Sequence, residues 1–285
     1  MRRVTAPGRW VWRASGLATV LALAVPGFWL ITRAGMPTGE PVSAFPTRTV
    51  IVTQPVTSLD VRSYGAPVQV SAGSGSQVRV VEAIMFNPDN GPPPAVRDTV
   101  ADGRLTLDAP ACATAGCGVG FTVTIPGHVA VRVATDGGTL TVSGTGAANL
   151  DSGGGPVQAT QVDGPLTVST DGGALTLNSV TGPLHADTGG GPLLAQGVAA
   201  ATATVTTEGG VAQIGFASAP DAVSVDSGGG PAILSVPGGP YAVTADSGGA
   251  PQLLGIATDP AAPRSIRVVS DGGPLQIEPA GTGPG

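Results

Sequence analysis

Lysine is absent from this chain of 285 residues: all 13 basic residues are arginine. Aromatic residues make up 4% and charged residues 11%. There are two cysteines, Cys112 and Cys117, and two histidines, His128 and His185. Each shortage removes a class of function. Phosphate-binding loops join a glycine turn to a helix N-terminus, usually with a lysine. Here the glycine turns lead into strand-like segments and no lysine exists, so nucleotide binding is excluded. A zinc site needs about four ligands, and with His128 and His185 the only histidines, a metal at the cysteine pair is the weaker reading. From Asp136 to Pro263 no basic residue occurs. That half of the chain presents an acidic surface, which repels nucleic acid phosphates and excludes nucleic acid as a partner.

What is present in excess is glycine, with 45 residues, and proline, with 27. Together they approach the level at which disorder becomes the default. The mean hydropathy is +0.27, however, and Val, Leu and Ile are plentiful. Disordered chains lack such residues because they cannot bury enough apolar surface to offset chain entropy. The apolar content must therefore be packed between glycines.

The N-terminus stands apart. Residues 14–32, "ASGLATVLALAVPGFWLIT", carry no charge and are long enough to cross a hydrocarbon core as a helix. Trp10, Trp12 and Trp29 flank the stretch like an interfacial belt, and four arginines precede it. The positive-inside bias then predicts a cytoplasmic basic tail (1–13), a transmembrane helix (14–32) and an exported remainder, making the membrane a partner of a single-pass protein. A cleaved signal peptide is the competing reading, with "ALA" at 22–24 as the cleavage site. Residues 33–47, with three prolines, read as a stalk. In an exported region Cys112 and Cys117 predict a disulfide, which would rigidify a local turn.

The rest is repetitive. Gly-Gly pairs begin at Gly137, Gly153, Gly172, Gly189, Gly209, Gly228, Gly248 and Gly272, with gaps of 16, 19, 17, 20, 19, 20 and 24. A looser second corner, as in "VDGP" and "VTGP", halves the period. Between corners, apolar residues alternate with Thr and Ser at period two: Leu166 and Val168, Leu175 and Leu177, Val223 and Val225, Leu275 and Ile277. A half-turn of about nine residues buries nothing alone, but stacked turns share a core. The reading is an all-β fold: a single-stranded β-helix or β-solenoid with 18–20 residues per rung over 135–279, preceded by one transmembrane helix. Residues 48–134 read as atypical N-terminal rungs that cap the open end, and 280–285 as a disordered tail.

The corners hold the candidate site residues. Stacking would align Asp151, Asp187, Asp226 and Asp246 as a ladder of carboxylates. Two readings compete: each Asp accepts from the backbone that follows, as in an Asx-turn, or calcium bridges the ladder. No other cofactor is expected. No paired carboxylates beside a basic cleft occur among the rungs, so no catalytic residue is expected and the chain is read as a non-enzyme.

The N-terminal segment, "VTIPGHVAVRV" leading into the repeats, and then "TDGGTLTVSG", "LDSGGGPVQA" and "STDGGALTLN" resemble the bacterial putative-adhesin family of β-strand repeats. The resemblance spans roughly 50–279 and implies a β-helix-like fold at the cell surface with no established catalytic residues. The expected function is non-enzymatic surface interaction, adhesion or envelope scaffolding, with cell-envelope polymers or surface proteins as partners. The alternative is a calcium-stabilised carbohydrate-binding or polysaccharide-acting β-helix.

Overall fold

The computed structural model describes residues 46–87, 92–111 and 117–281. Every element among them that is long enough to number is a strand. The first run is β1 (Thr47–Val52), β2 (Ser58–Ser63), β3 (Val68–Gly73), β4 (Val78–Met85), β5 (Arg97–Ala101), β6 (Arg104–Asp108) and β7 (Gly118–Pro126). The repeats supply β8 (Ala130–Thr135), β9 (Leu140–Thr145), β10 (Ala148–Ser152), β11 (Val157–Val162), β12 (Leu166–Thr170), β13 (Leu175–Val180), β14 (Leu184–Asp187) and β15 (Leu193–Val198). They continue as β16 (Thr202–Thr206), β17 (Ala212–Phe216), β18 (Ala222–Asp226), β19 (Ala232–Val236), β20 (Ala242–Asp246), β21 (Gln252–Leu254), β22 (Ser265–Val269) and β23 (Leu275–Pro279).

The strands form two sheets, of 12 and 11 strands. From β8 onward the chain alternates between them, one strand in each per rung, and like strands of successive rungs pair in parallel. Leu166 pairs with Ala148 on one side and Leu184 on the other, which fixes a rung of 18 residues. Later rungs lengthen: Leu184 pairs with Ala203, and Ala203 with Val223. Alternation sets the core. Leu166, Val168, Leu175 and Leu177 point between the sheets and are buried. Their neighbours Thr167 and Thr176 point outward.

Proline fits this ladder. The carbonyls of Pro156, Pro165, Pro183, Pro192 and Pro231 each accept from the first amide of a strand on the adjoining rung. Each precedes the first residue of its own strand, where the chain supplies an acceptor and the missing N–H costs nothing.

The ends do not follow chain order. In the 11-stranded sheet the order is β20-β22-β18, and in the 12-stranded sheet β19-β23-β21. The chain therefore leaves β19, builds the outermost rung, and returns to fill the gap it skipped. The N-terminal end does the same, with β2 between β6 and β8, and β3 between β7 and β9. That end is closed by antiparallel strands: β1 and β4 beyond β7, and β5 beyond β6.

The membrane expectation is corrected here. The transmembrane helix at 14–32, and with it the membrane as a partner and the single-pass placement with a cytoplasmic N-terminus, falls outside the described residues. Among the described residues no helix is long and apolar enough to cross a membrane. Among the described residues the architecture is all-β, and function is read from these strands alone. The predicted disulfide involves Cys112, which lies outside the described residues; Cys117 is not free.

Candidate functional site

The corners that carry the predicted aspartates are built on a buried hydroxyl. Thr135, Ser152, Thr170, Thr188, Thr207, Ser227, Ser247 and Ser270 are all buried. Each donates its hydroxyl to the carbonyl three residues on: Ser152 to Gly155 at 2.9 Å, Thr170 to Gly173 at 2.9 Å, Ser227 to Gly230 at 2.6 Å. Counted from these hydroxyls the repeat steps by 17, 18, 18, 19, 20, 20 and 23 residues, smoother than the Gly-Gly count. Sequence reading missed them because it took the glycine pair as the origin. The available signal was a Ser or Thr three places before the last glycine or alanine of every such corner.

Counting from the hydroxyl separates the carboxylates into two kinds. Asp151, Asp187, Asp226 and Asp246 stand just before it. Asp136, Asp171, Glu208 and Asp271 stand just after it. The two kinds alternate along the stack. Asp151 pairs with Ala134 and Ser169, and Asp187 with Ser169 and Thr206. Asp226 pairs with Thr206 and Val269, and Asp246 with Val269. The four predicted aspartates therefore share one row but stand two rungs apart, roughly 10 Å at the usual strand spacing. Three of them accept locally: Gly189 N–H donates to Asp187 Oδ1 at 3.1 Å, Gly228 N–H to Asp226 Oδ1 at 3.1 Å and Gly248 N–H to Asp246 Oδ1 at 3.0 Å. That is Asx-turn geometry. Among the described residues no group of three or more His, Cys, Asp or Glu is placed to hold a metal ion.

Sterics enforce the alternation. Gly228 lies over Glu208 of the rung before, and a Cβ there would stand 2.8 Å from the Glu208 Cα. A Cβ at Gly248 would stand 2.8 Å from the Gly272 nitrogen. Glu208 and Asp271 themselves sit at φ of 48° and 43°. A side chain after the hydroxyl on one rung thus requires glycine at that place on the next.

The outer face of the 11-stranded sheet is the better candidate. One row crosses it with one residue per rung: Thr106, Asp60, Arg132, Asn149, Thr167, His185, Thr204, Ser224, Arg267 and Thr244, all in register. Parallel pairing without a break makes the row straight. At its N-terminal end a depression of about 580 Å³ opens over β6, β2, β8 and β10. Its floor is low because Ser58, Ala130, Ala147 and Ala148 are small, and Arg62, Arg104, Arg132 and Asp60 rim it. Asp60 Oδ1 is buried without a hydrogen-bond partner and lies 3.9 Å from Arg62 Nε. Sequence reading assigned these charges to a cap and gave them no role. They are 42 to 72 positions apart from Arg62 or Asp60 in places, and only the exchanged N-terminal rungs bring β6, β2 and β8 side by side.

A second charged group lies under the N-terminal cap. Glu82 on β4 points inward, fully buried, and neither carboxylate oxygen has a hydrogen-bond partner. Burial pushes its carboxyl above the ordinary range. Arg48, with Nη1 3.6 Å from Oε2, pulls it back in part, and Asp98 adds a smaller push upward. Arg48 also bridges to Asp98 at 3.0 Å.

No family model matches the chain, and no curated protein does. It is similar to several solved structures, three of them as follows. A putative adhesin from Bacteroides fragilis NCTC 9343 is 14% identical, with 84% of this chain and 98% of that one covered and a TM-score of 0.46. A putative adhesin from Parabacteroides merdae ATCC 43184 is 11% identical, with 82% and 96% covered and a TM-score of 0.41. One from Parabacteroides distasonis ATCC 8503 is 12% identical, with 83% and 98% covered and a TM-score of 0.40.

Proposed function

We propose that the described domain is a non-enzymatic binding module, adhesin-like in build, that engages extended polymers along the outer face of the 11-stranded sheet. The observation that carries this reading is the straight polar row from Thr106 to Thr244, one side chain per rung. A rigid parallel stack holds such a row without the ordering cost that flexible loops incur on binding. A polymer lying along it meets a hydroxyl, amide or charge at roughly every 4.8 Å. A depression of about 580 Å³ lies on the same face and is rimmed by arginines and one aspartate. Hydrolysis of a glycoside ordinarily uses two carboxyl groups facing across the bond, and this rim offers one.

The test is retention of the protein on immobilised cellulose, chitin, xylan and polygalacturonate, with reducing ends assayed in parallel. Retention on at least one polymer with no new reducing ends is expected. Release of oligosaccharides, or retention on none, would overturn the reading.

A further inference from the structure

We infer that the depression rimmed by Arg62, Arg104, Arg132 and Asp60 is a subsite for an acidic sugar unit, one carrying both a carboxylate and a free hydroxyl. The inference rests on the binding-module reading and names the chemistry of one place on that face.

Three arginines meet there on a protein whose formal net charge is −6. Arg104 and Arg132 enter none of the ion pairs among the described residues. Their positions follow from register. Arg104 pairs with Ser58, and Arg132 with Asp60 on one side and Asn149 on the other. Small residues between them leave the two guanidinium groups standing over a shared floor. Guanidinium groups bind carboxylates with charge-assisted, often paired hydrogen bonds. The floor adds apolar surface from Ala130 and Ala147, both exposed, which suits the C–H face of a sugar ring.

Asp60 selects among anions. A bare polyanion would set its charge against this carboxylate. Asp60 Oδ1 is a buried acceptor with no donor, and a buried polar atom left unpaired is costly. A ligand that supplies an O–H beside its own carboxylate satisfies Asp60 and the arginines together. Asn149 and Thr167 also line the depression, and His185 and Thr204 continue the polar row beyond it, so neighbouring sugar units have partners on the next rungs. Electrostatic attraction of this kind weakens with added salt.

The test compares retention of the protein on polygalacturonate, a neutral glucan, polyphosphate and polyglutamate at low salt. Polygalacturonate is expected to retain it best. Arg104→Gln and Arg132→Gln are each expected to weaken that retention about tenfold, the loss of one charged hydrogen-bonding partner. Asp60→Asn is expected to shift preference from polygalacturonate toward polyphosphate by about fivefold or more, since it removes a repelling charge. Unchanged melting temperatures would show that the variants fold. If a neutral polymer retains the protein and the arginine variants lose nothing, the subsite is wrong and the module reading stands. If polyglutamate binds as well as polygalacturonate, or Asp60→Asn leaves the preference unchanged, the acidic-sugar assignment is overturned.

Discussion

Asp226 and Asp246 end equivalent strands in consecutive sequence repeats, yet they do not touch: both pair with Val269, which lies between them. The reason is in the corners. In chain order the last three corners are acid-before, acid-before and acid-after. Stacked in that order, Asp226 and Asp246 would be neighbours, repelling by about 1 kcal/mol even in water. Placing β22 and β23 inside β20 and β21 restores strict alternation of the two corner kinds.

This order is open to a direct check by cysteine pairs. Ser224 is in register with Arg267, while Thr244 is its neighbour only if rungs follow the chain. Ser224→Cys with Arg267→Cys is expected to cross-link readily, and Ser224→Cys with Thr244→Cys to cross-link poorly. The opposite ranking would restore chain order.

The stacked corner glycines should not tolerate a side chain inside the stack. A Cβ at Gly173 would overlap the carbonyl oxygen of Gly155, a backbone atom held on both sides. Gly173→Ala is expected to cost about 1–3 kcal/mol, a fall in Tm of several degrees at about 2–4 °C per kcal/mol. The outermost rung carries Ala250 at the same place, where no further rung restrains it. Ala250→Gly is therefore expected to change Tm by less than half as much, as a thermal melt would show.

Glu82 gives a pH dependence of defined sign. Its native carboxyl holds a proton more readily than in the unfolded chain. Stability therefore falls as pH rises from the ordinary value near 4.5 through the raised native one, and the full cost is present above it. Glu82→Gln is expected to raise Tm at neutral pH, with the gain shrinking below that window. A fall in Tm at neutral pH would mean that the Arg48 pairing outweighs burial.

The aspartate row separates its two readings by calcium. With the carboxylates about two rungs, roughly 10 Å, apart and three of them bound to their own backbone, Asx-turns predict equal Tm in chelator and in millimolar calcium. A rise in calcium that Asp187→Asn and Asp226→Asn abolish would establish the ladder as an ion site.

Much of this was legible in sequence. Period and alternation placed Leu166, Val168, Val223, Val225 and Ile277 in the core, where they are buried. Val243 and Ala245, at the same places of β20, are half-buried because their rung is the outermost. Rung order was not legible from spacing, because contacts between rungs decide it. Its traces were the repeated acid-before corner and the alanine at position 250. The arginine-rimmed depression was less legible still, since its charged residues come from three strands that chain order does not put together.

The central claim is that one outer face binds, and the most direct measurement compares the two faces. Thr204 lies in the row on the 11-stranded sheet and Thr176 on the outer face of the 12-stranded sheet. Affinity for the panel polymer that best retains the protein should be measured for Thr204→Glu and Thr176→Glu, both with melting temperature checked. The account predicts that Thr204→Glu weakens binding at least about tenfold, the equivalent of 1.4 kcal/mol, and that Thr176→Glu leaves it unchanged. Equal affinities, or loss only in Thr176→Glu, would contradict it.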